Sequence, residues 1–185
     1  MPNKSIENNQ YNPAEDTFFF VDHLKNEKGE NALDIGTGTG YLAKILSSKF
    51  SLVVATEINF DSLRSLKPKL PNCICCDAAE PIREKFDLIT CNMPYLPSDE
   101  ISDNTIDGGV EGLEIPLKII KSVRNHVKDG GKILFLSSSL SNYEKLLEKT
   151  RRLGFDVNII AKKKLFFEEL ILIEARKNKK LISNS

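Results

Sequence analysis

The sequence predicts an α/β fold: a mostly parallel seven-stranded sheet with helices on both faces and an antiparallel hairpin at its C-terminal end. Three observations predict it. Short apolar runs alternate with stretches whose apolar residues recur every three or four positions. The first of these runs passes straight into a glycine loop, Gly36-Thr37-Gly38-Thr39-Gly40, as a strand does where it hands over to a helix in parallel α/β units. The last two runs, Phe155–Ala161 and Leu170–Ala175, lie close enough to pair as a hairpin.

Taken in order, Met1–Gln10 reads as a flexible lead. Asn12 can cap a first helix, Pro13 suits its first turn, and Glu15 and Asp16 favour the positive end of its dipole. Phe18 to Leu24 supply its apolar face, and Lys25–Glu30 reads as a polar loop. Ala32–Ile35 is the first strand, and the helix Tyr41–Lys49 follows the glycine loop. The glycines let a ligand approach the backbone, and the helix start presents free N–H groups. The spacing is G-x-G-x-G, not the G-x-G-x-x-G of a dinucleotide site.

Leu52–Glu57 is the second strand and ends in an acid, near the position at which a carboxylate meets ribose hydroxyls in such units. Phe60–Leu70 reads as a short helix, weakened by Pro68. Cys73–Cys76 is the third strand, ending at Asp77, and Phe86–Cys91 the fourth. Leu96–Gly112 is a long polar loop containing Asp107-Gly108-Gly109, of the kind that forms binding elements or lids. Leu113, Leu117, Ile120, Val123 and Val127 mark an amphipathic helix that Asp129-Gly130-Gly131 should stop. Lys132–Ser137 is the fifth strand, and a helix from Tyr143 to Leu153 ends at Gly154. Lys162-Lys163-Lys164 falls in or near the final bend as a solvated triplet, before the loose tail at 177–185.

The 185 residues suit one domain, with 41% hydrophobic and 28% charged residues. Lys plus Arg equals Asp plus Glu, which argues against a life spent mainly on duplex phosphates. No apolar run reaches the ~20 residues of a membrane helix, and the first ten residues lack a signal-peptide core. A cytoplasmic protein is expected, with no membrane or nucleic-acid partner. Cys73, Cys75, Cys76 and Cys91 are expected to be reduced and mostly buried, with no metal site, and His23 and His126 structural.

The chemistry concentrates at Asn92-Met93-Pro94-Tyr95, directly after the fourth strand. Open α/β sheets place ligands at such strand ends. Asn92 offers a side-chain carbonyl and NH2. Met93 offers a backbone carbonyl, which Pro94 helps to turn outward. Tyr95 adds a flat face. Two acceptors beside an aromatic wall suit a planar group bearing an NH2.

Tyr11–Thr17, Leu33–Gly40, Glu57, Asp77, Asn92–Tyr95 and Asp107–Gly109 together resemble class I S-adenosylmethionine-dependent methyltransferases of the HemK type, which modify protein glutamine at N5. The glycine loop is common to class I enzymes. Asn-x-Pro-Tyr is narrower, and the opening motif with the Asp-Gly-Gly loop points to the short archaeal and eukaryotic branch without an N-terminal helical domain. The resemblance implies a Rossmann-like fold, S-adenosylmethionine as cofactor, and the glutamine of a Gly-Gly-Gln motif in a translation release factor as substrate. It implies cofactor contacts by Thr17, Asp34, Gly36, Gly38, Gly40, Glu57, Asp77 and Asn92, with Asp16 near Thr17. Asn92, Met93, Pro94 and Tyr95 become the catalytic turn, with Met93 standing where the family usually has proline. It also implies a small zinc-binding activator subunit. The third strand should lie at a sheet edge, and Cys73, Ile74 and Cys75 carry no charge to guard it, so that subunit is expected there. Rival substrates on the same turn are a lysine and a nucleic-acid base. A non-catalytic binding module is the alternative from another class, although it would need none of Glu57, Asp77 or Asn92.

Overall fold

A computed structural model describes residues 15–66, 70–98 and 107–177. Among these residues seven strands form one sheet: β1 (Gly29–Ile35), β2 (Phe50–Glu57), β3 (Cys73–Cys75), β4 (Phe86–Cys91), β5 (Val127–Ser138), β6 (Phe155–Lys164) and β7 (Glu169–Lys177). Their order is β3-β2-β1-β4-β5-β7-β6. β1 to β5 are parallel, and β7 is antiparallel to both β5 and β6. The helices are α1 (Glu15–His23), α2 (Tyr41–Leu46), α3 (Phe60–Ser65), α4 (Glu114–Val123) and α5 (Tyr143–Arg152). The expected mixed sheet with its terminal hairpin is therefore the observed one. None of the described helices is long and apolar enough to cross a membrane.

The strands read as continuous apolar runs because both faces of the sheet are covered. In β5, Ile133 and Phe135 enter one core cluster while Leu134 and Leu136 enter the other. In β7, Ile171 and Ile173 alternate with Leu170 and Leu172 in the same way. Phe19, Phe20, Leu42 and Leu46 of α1 and α2 cover one face, and Leu117, Ile120, Val123, Leu146 and Leu147 of α4 and α5 the other. Each fully buried side chain of this size contributes about 1.5–3 kcal/mol, so the sheet centre is a rigid base for the loops at its C-terminal end.

Four expectations are corrected. Gly29 and Glu30 belong to β1 and not to a loop, because Asp87 accepts the N–H groups of Glu30 and Asn31 (3.0 and 2.9 Å) and holds this polar strand start. Asp129-Gly130-Gly131 lies inside β5 and not at a helix end. Phe86 pairs with Val127 but Leu88 with Lys132, a bulge that absorbs the glycines, with Gly130 at φ 81°. The helix has already ended at Val123, followed by one tight turn, Arg124–His126. α2 and α3 are shorter than expected, stopping at Leu46 and Ser65. Of the cysteines only Cys91 is buried; Cys73 and Cys76 are half-buried and Cys75 is exposed. Asn12, Pro13 and Pro68 lie outside the described residues.

Among the described residues β3 is the edge strand, as expected, and pairs only with β2. The chain builds β1, β2 and β3 outward in one direction, then returns to place β4 on the other side of β1. The loops after β1 and β4 therefore part, and the crevice of a topological switch point opens between them.

Candidate active site

The crevice is a cavity of about 300 Å³. The loop after β1 supplies Gly36 to Thr39, and the end of β2 supplies Thr56 and Glu57. Asp77 enters from the end of β3, and Asn92 to Tyr95 from the end of β4. Asp16 and Thr17 of α1 close one side, and Ile115, Lys118 and Ile119 of α4 the other. Of the residues expected here, Asp34 and Gly40 do not line the wall. Gly40 starts α2 at φ 74°, and a Cβ there would press on Leu66 and Leu70 at 3.1–3.2 Å, so it serves packing behind the loop.

Asp34 sits beneath the glycine loop, 1% exposed. Its carboxylate accepts from the hydroxyls of Thr37 (2.7 Å) and Thr90 (2.8 Å), pinning the loop to β4. Burial pushes its pKa up to about 6 from 3.8, against the pull of the two threonine hydrogen bonds. Between these values the folded chain holds a proton that the unfolded chain has released. Stability from this group therefore falls as pH rises through that window, by about 3 kcal/mol in all. Asp34→Asn is expected to remove this decline. Thermal melts of both proteins between about pH 4 and pH 7 check it: a wild type that loses stability no faster than the variant contradicts the assignment.

Gly36 has φ 65°, and a Cβ built there meets nothing within 4 Å. That open space faces the cavity, so ligand atoms can come to the backbone where a side chain would stand. Glu57 is 9% exposed. One of its oxygens accepts the N–H of Gly38 (3.0 Å) and the other that of Asn59 (2.9 Å). A carboxylate has about four acceptor sites, so each oxygen keeps capacity for a ligand hydroxyl. Three carboxylates, Asp16, Glu57 and Asp77, line the cavity with one ammonium, Lys118. The field favours a cationic ligand, and Leu42, Ile58, Ile115 and Ile119 give it apolar walls. These features fit S-adenosylmethionine: a diol acceptor at Glu57, open backbone at Gly36 and a negative field for the sulfonium.

At the β4 end, the Asn92 side-chain N–H2 donates to Asp16 (3.1 Å). An ionised carboxylate only accepts, so this contact fixes which way the amide points and leaves the Asn92 carbonyl oxygen on the opposite branch. Asp16 is itself held by the N–H of Thr17 at 2.5 Å. Met93 is 2% exposed and packs in the core with Leu113 and Leu117 while contributing to the cavity wall. Its side chain anchors the turn by burial, where a proline would do so by ring stiffness. The Asp-Gly-Gly loop closes over the same turn. Leu96 bridges to Asp107, and the Gly108 N–H donates to the Leu96 carbonyl at 2.7 Å.

Two contacts were not legible in the sequence. Lys118 is ion-paired with Asp77 across the cavity, which holds the lysine pKa above its ordinary value. Its helix showed only apolar periodicity, with nothing to indicate which polar position faced the crevice. The Asp16–Asn92 contact joins residues 76 positions apart. Cys73 and Cys76 stand at C-x-x-C spacing. Among the described residues no cluster of three or more His, Cys, Asp or Glu could hold a metal, and burial raises both thiol pKa values.

Residues 14–167 match the family model "Methyltransferase small domain". The chain is 36% identical over 178 residues to a putative protein N5-glutamine methyltransferase of Methanocaldococcus jannaschii, covering 89% of this chain and 90% of that one. It belongs to the S-adenosylmethionine-dependent protein glutamine N5-methyltransferases. Human methyltransferase HEMK2 is 27% identical over 169 residues, 78% of each chain. Among solved structures, the E. cuniculi Mtq2–Trm112 complex, responsible for methylation of the eRF1 translation termination factor, superposes with a TM-score of 0.79 at 26% identity. The match covers 91% of this chain and 98% of that one. In this methyltransferase, the glycine loop and the Asn-x-Pro-Tyr turn thus meet in one crevice.

Proposed function

We propose that this methyltransferase modifies the side-chain amide of the glutamine in the Gly-Gly-Gln motif of a translation release factor, in the cytoplasm and with a small zinc-binding activator subunit bound to it. The observation that carries the reading is the Asn92 amide, locked by Asp16 beside Met93 and Tyr95. A glutamine amide nitrogen is a poor nucleophile because its lone pair is delocalised into its carbonyl. The Asn92 side-chain oxygen and the Met93 carbonyl each accept one of its N–H bonds and aim it. Tyr95 packs on the amide plane. As positive charge grows on that nitrogen the two bonds strengthen, so they favour the transition state over the ground state. The carboxylate of Asp16 polarises the Asn92 amide and makes its oxygen the better acceptor.

S-adenosylmethionine supplies the activated methyl group; the protein's part is position and field. Gly36 and Gly38 would admit its methionine and ribose portions, Glu57 would accept from the ribose hydroxyls, and Thr17 would close over the methionine end. Asp77 would accept from the adenine amino group in place of Lys118.

The Mtq2–Trm112 neighbour supports both substrate and partner. The exposed edge supports the partner: Ile74 on β3 is 37% exposed and Phe60 at the start of α3 is 61% exposed. Methyl transfer from labelled S-adenosylmethionine to a release factor, with and without a co-expressed zinc-binding activator, tests the reading. Activity only in the complex is expected. A lone chain that is soluble at high concentration and equally active would overturn the partner, and label on nucleic acid would overturn the substrate.

A further inference from the structure

We infer that the exposed apolar rim formed by Val110, Leu140, Phe166 and Phe167 is where the polypeptide around the target glutamine docks, an inference that rests on the protein-glutamine reading. Phe166 and Phe167 form the tip of the β6–β7 turn, 91% and 84% exposed, with their rings in edge contact at 4.6 Å. Two phenylalanines in water are unfavourable unless something covers them. The tip is not loosely held. The Leu165 N–H donates to the Glu168 carbonyl (2.8 Å), and the Glu169 N–H to the Ser139 hydroxyl (2.9 Å).

The second bond, with the Ser139 N–H donating to the Glu169 carbonyl (2.9 Å), ties the tip to the turn after β5, which carries Leu140, 51% exposed. That turn is tied in its own right to the one bearing Val110, 56% exposed, because the Asn142 N–H donates to the Glu111 carbonyl at 3.0 Å. Gly112, two residues after Val110, lies directly on the Tyr95 carbonyl. Hydrogen bonds and close backbone packing thus link the segments that bear these side chains, from the Asn92–Tyr95 turn to the hairpin tip. On its other flank Lys163 pairs with Glu15 at 3.4 Å, and the next two residues, Asp16 and Thr17, line the cavity. A chain lying across the tip would pass the cavity mouth.

The charges favour a polypeptide over a nucleic acid. Lys162 pairs with Glu169, Lys163 with Glu15 and Lys145 with Glu111. Two of the three lysines of the basic triplet are thus matched by acids, which weakens it as a cationic track for phosphates. An apolar tip flanked by matched charges suits neutral and apolar residues on either side of a glutamine.

The test compares wild type with Phe166→Ser/Phe167→Ser, each with its activator, on a whole release factor and on a short Gly-Gly-Gln peptide that cannot span the rim. The expected result is a KM for the release factor raised about tenfold or more, near the effect of losing a buried aromatic anchor. The peptide's kinetics, cofactor affinity and melting temperature should not change, since the two side chains support no core. An unchanged KM for the release factor overturns the proposal alone. A wild type that transfers nothing to the release factor removes the occupant and overturns the proposal with the reading beneath it. Transfer to RNA that fails in the double variant assigns the rim to nucleic acid and overturns it as well.

Discussion

Replacing Asn92 with alanine is expected to lower kcat by about 10²–10³, the usual cost of removing one preorganised group from a developing charge, while S-adenosylmethionine affinity changes far less. The reason is geometric. Asn92 lies at the end of β4, and its amide is pinned by Asp16 and aimed into the crevice. The glycine loop and Glu57 come from other strands and keep their own hydrogen bonds, Gly38 to Glu57 and Thr37 to Asp34. Asp16→Ala should give a smaller loss of kcat, because the Asn92 amide is then free to turn over. The double variant should be little worse than Asn92→Ala alone, since both act on one group. Single-turnover rates beside equilibrium cofactor binding check this. Equal losses in rate and in cofactor affinity for Asn92→Ala would show a cofactor-holding residue and not an acceptor for the target nitrogen.

Gly112→Ala is expected to damage both stability and rate, although residue 112 need not touch substrate. A Cβ there would lie 2.2 Å from the Tyr95 carbonyl oxygen and 2.7 Å from the Ser141 Cβ, on a backbone at φ 68°. Neither obstacle is the end of a flexible side chain. Overpacking costs about 1–3 kcal/mol and the left-handed backbone about 1–2 kcal/mol more. The relief open to the chain is to push the Tyr95 carbonyl away, which shifts the Asn92–Tyr95 turn. A displacement near 1 Å can cost about 10²-fold in rate. Gly154→Ala makes the control: φ is 90°, but its Cβ would meet only the Arg124 guanidinium at 3.5 Å, far from the crevice. It should lower the melting temperature and leave kcat unchanged. Gly112→Ala with wild-type kcat would mean that the loop does not hold the turn.

The comparison of these two glycines shows what the sequence could reveal. β4 was legible to the residue because it is buried on both faces and so written as an unbroken apolar run, Phe86–Cys91. The Asn-x-Pro-Tyr turn at its end was legible because its residue types are few and adjacent. The acids at the ends of β2 and β3 followed from the alternation itself. What remained hidden depends on contacts between distant segments. Nothing local marks Gly112 as the cover of Tyr95, or Asp16 as the partner of Asn92. Asp129-Gly130-Gly131 has the composition of a helix stop, yet it forms a bulge, because five residues of β5 pass two of β4 there. Asp34 occupies the strand position of a ligand-facing acid, but Thr37 and Thr90 turn it inward as a buried strut for the loop.

Asn92, pinned by Asp16, is placed with its turn to present a glutamine amide for methylation. Fragmentation mass spectrometry of the release factor after reaction with the methyltransferase and its activator tests it most directly. One added methyl group is expected, located on the side-chain nitrogen of the Gly-Gly-Gln glutamine and absent when Asn92 is alanine. A methyl group on a lysine or on any other residue, or one that persists in the Asn92 variant, would contradict it.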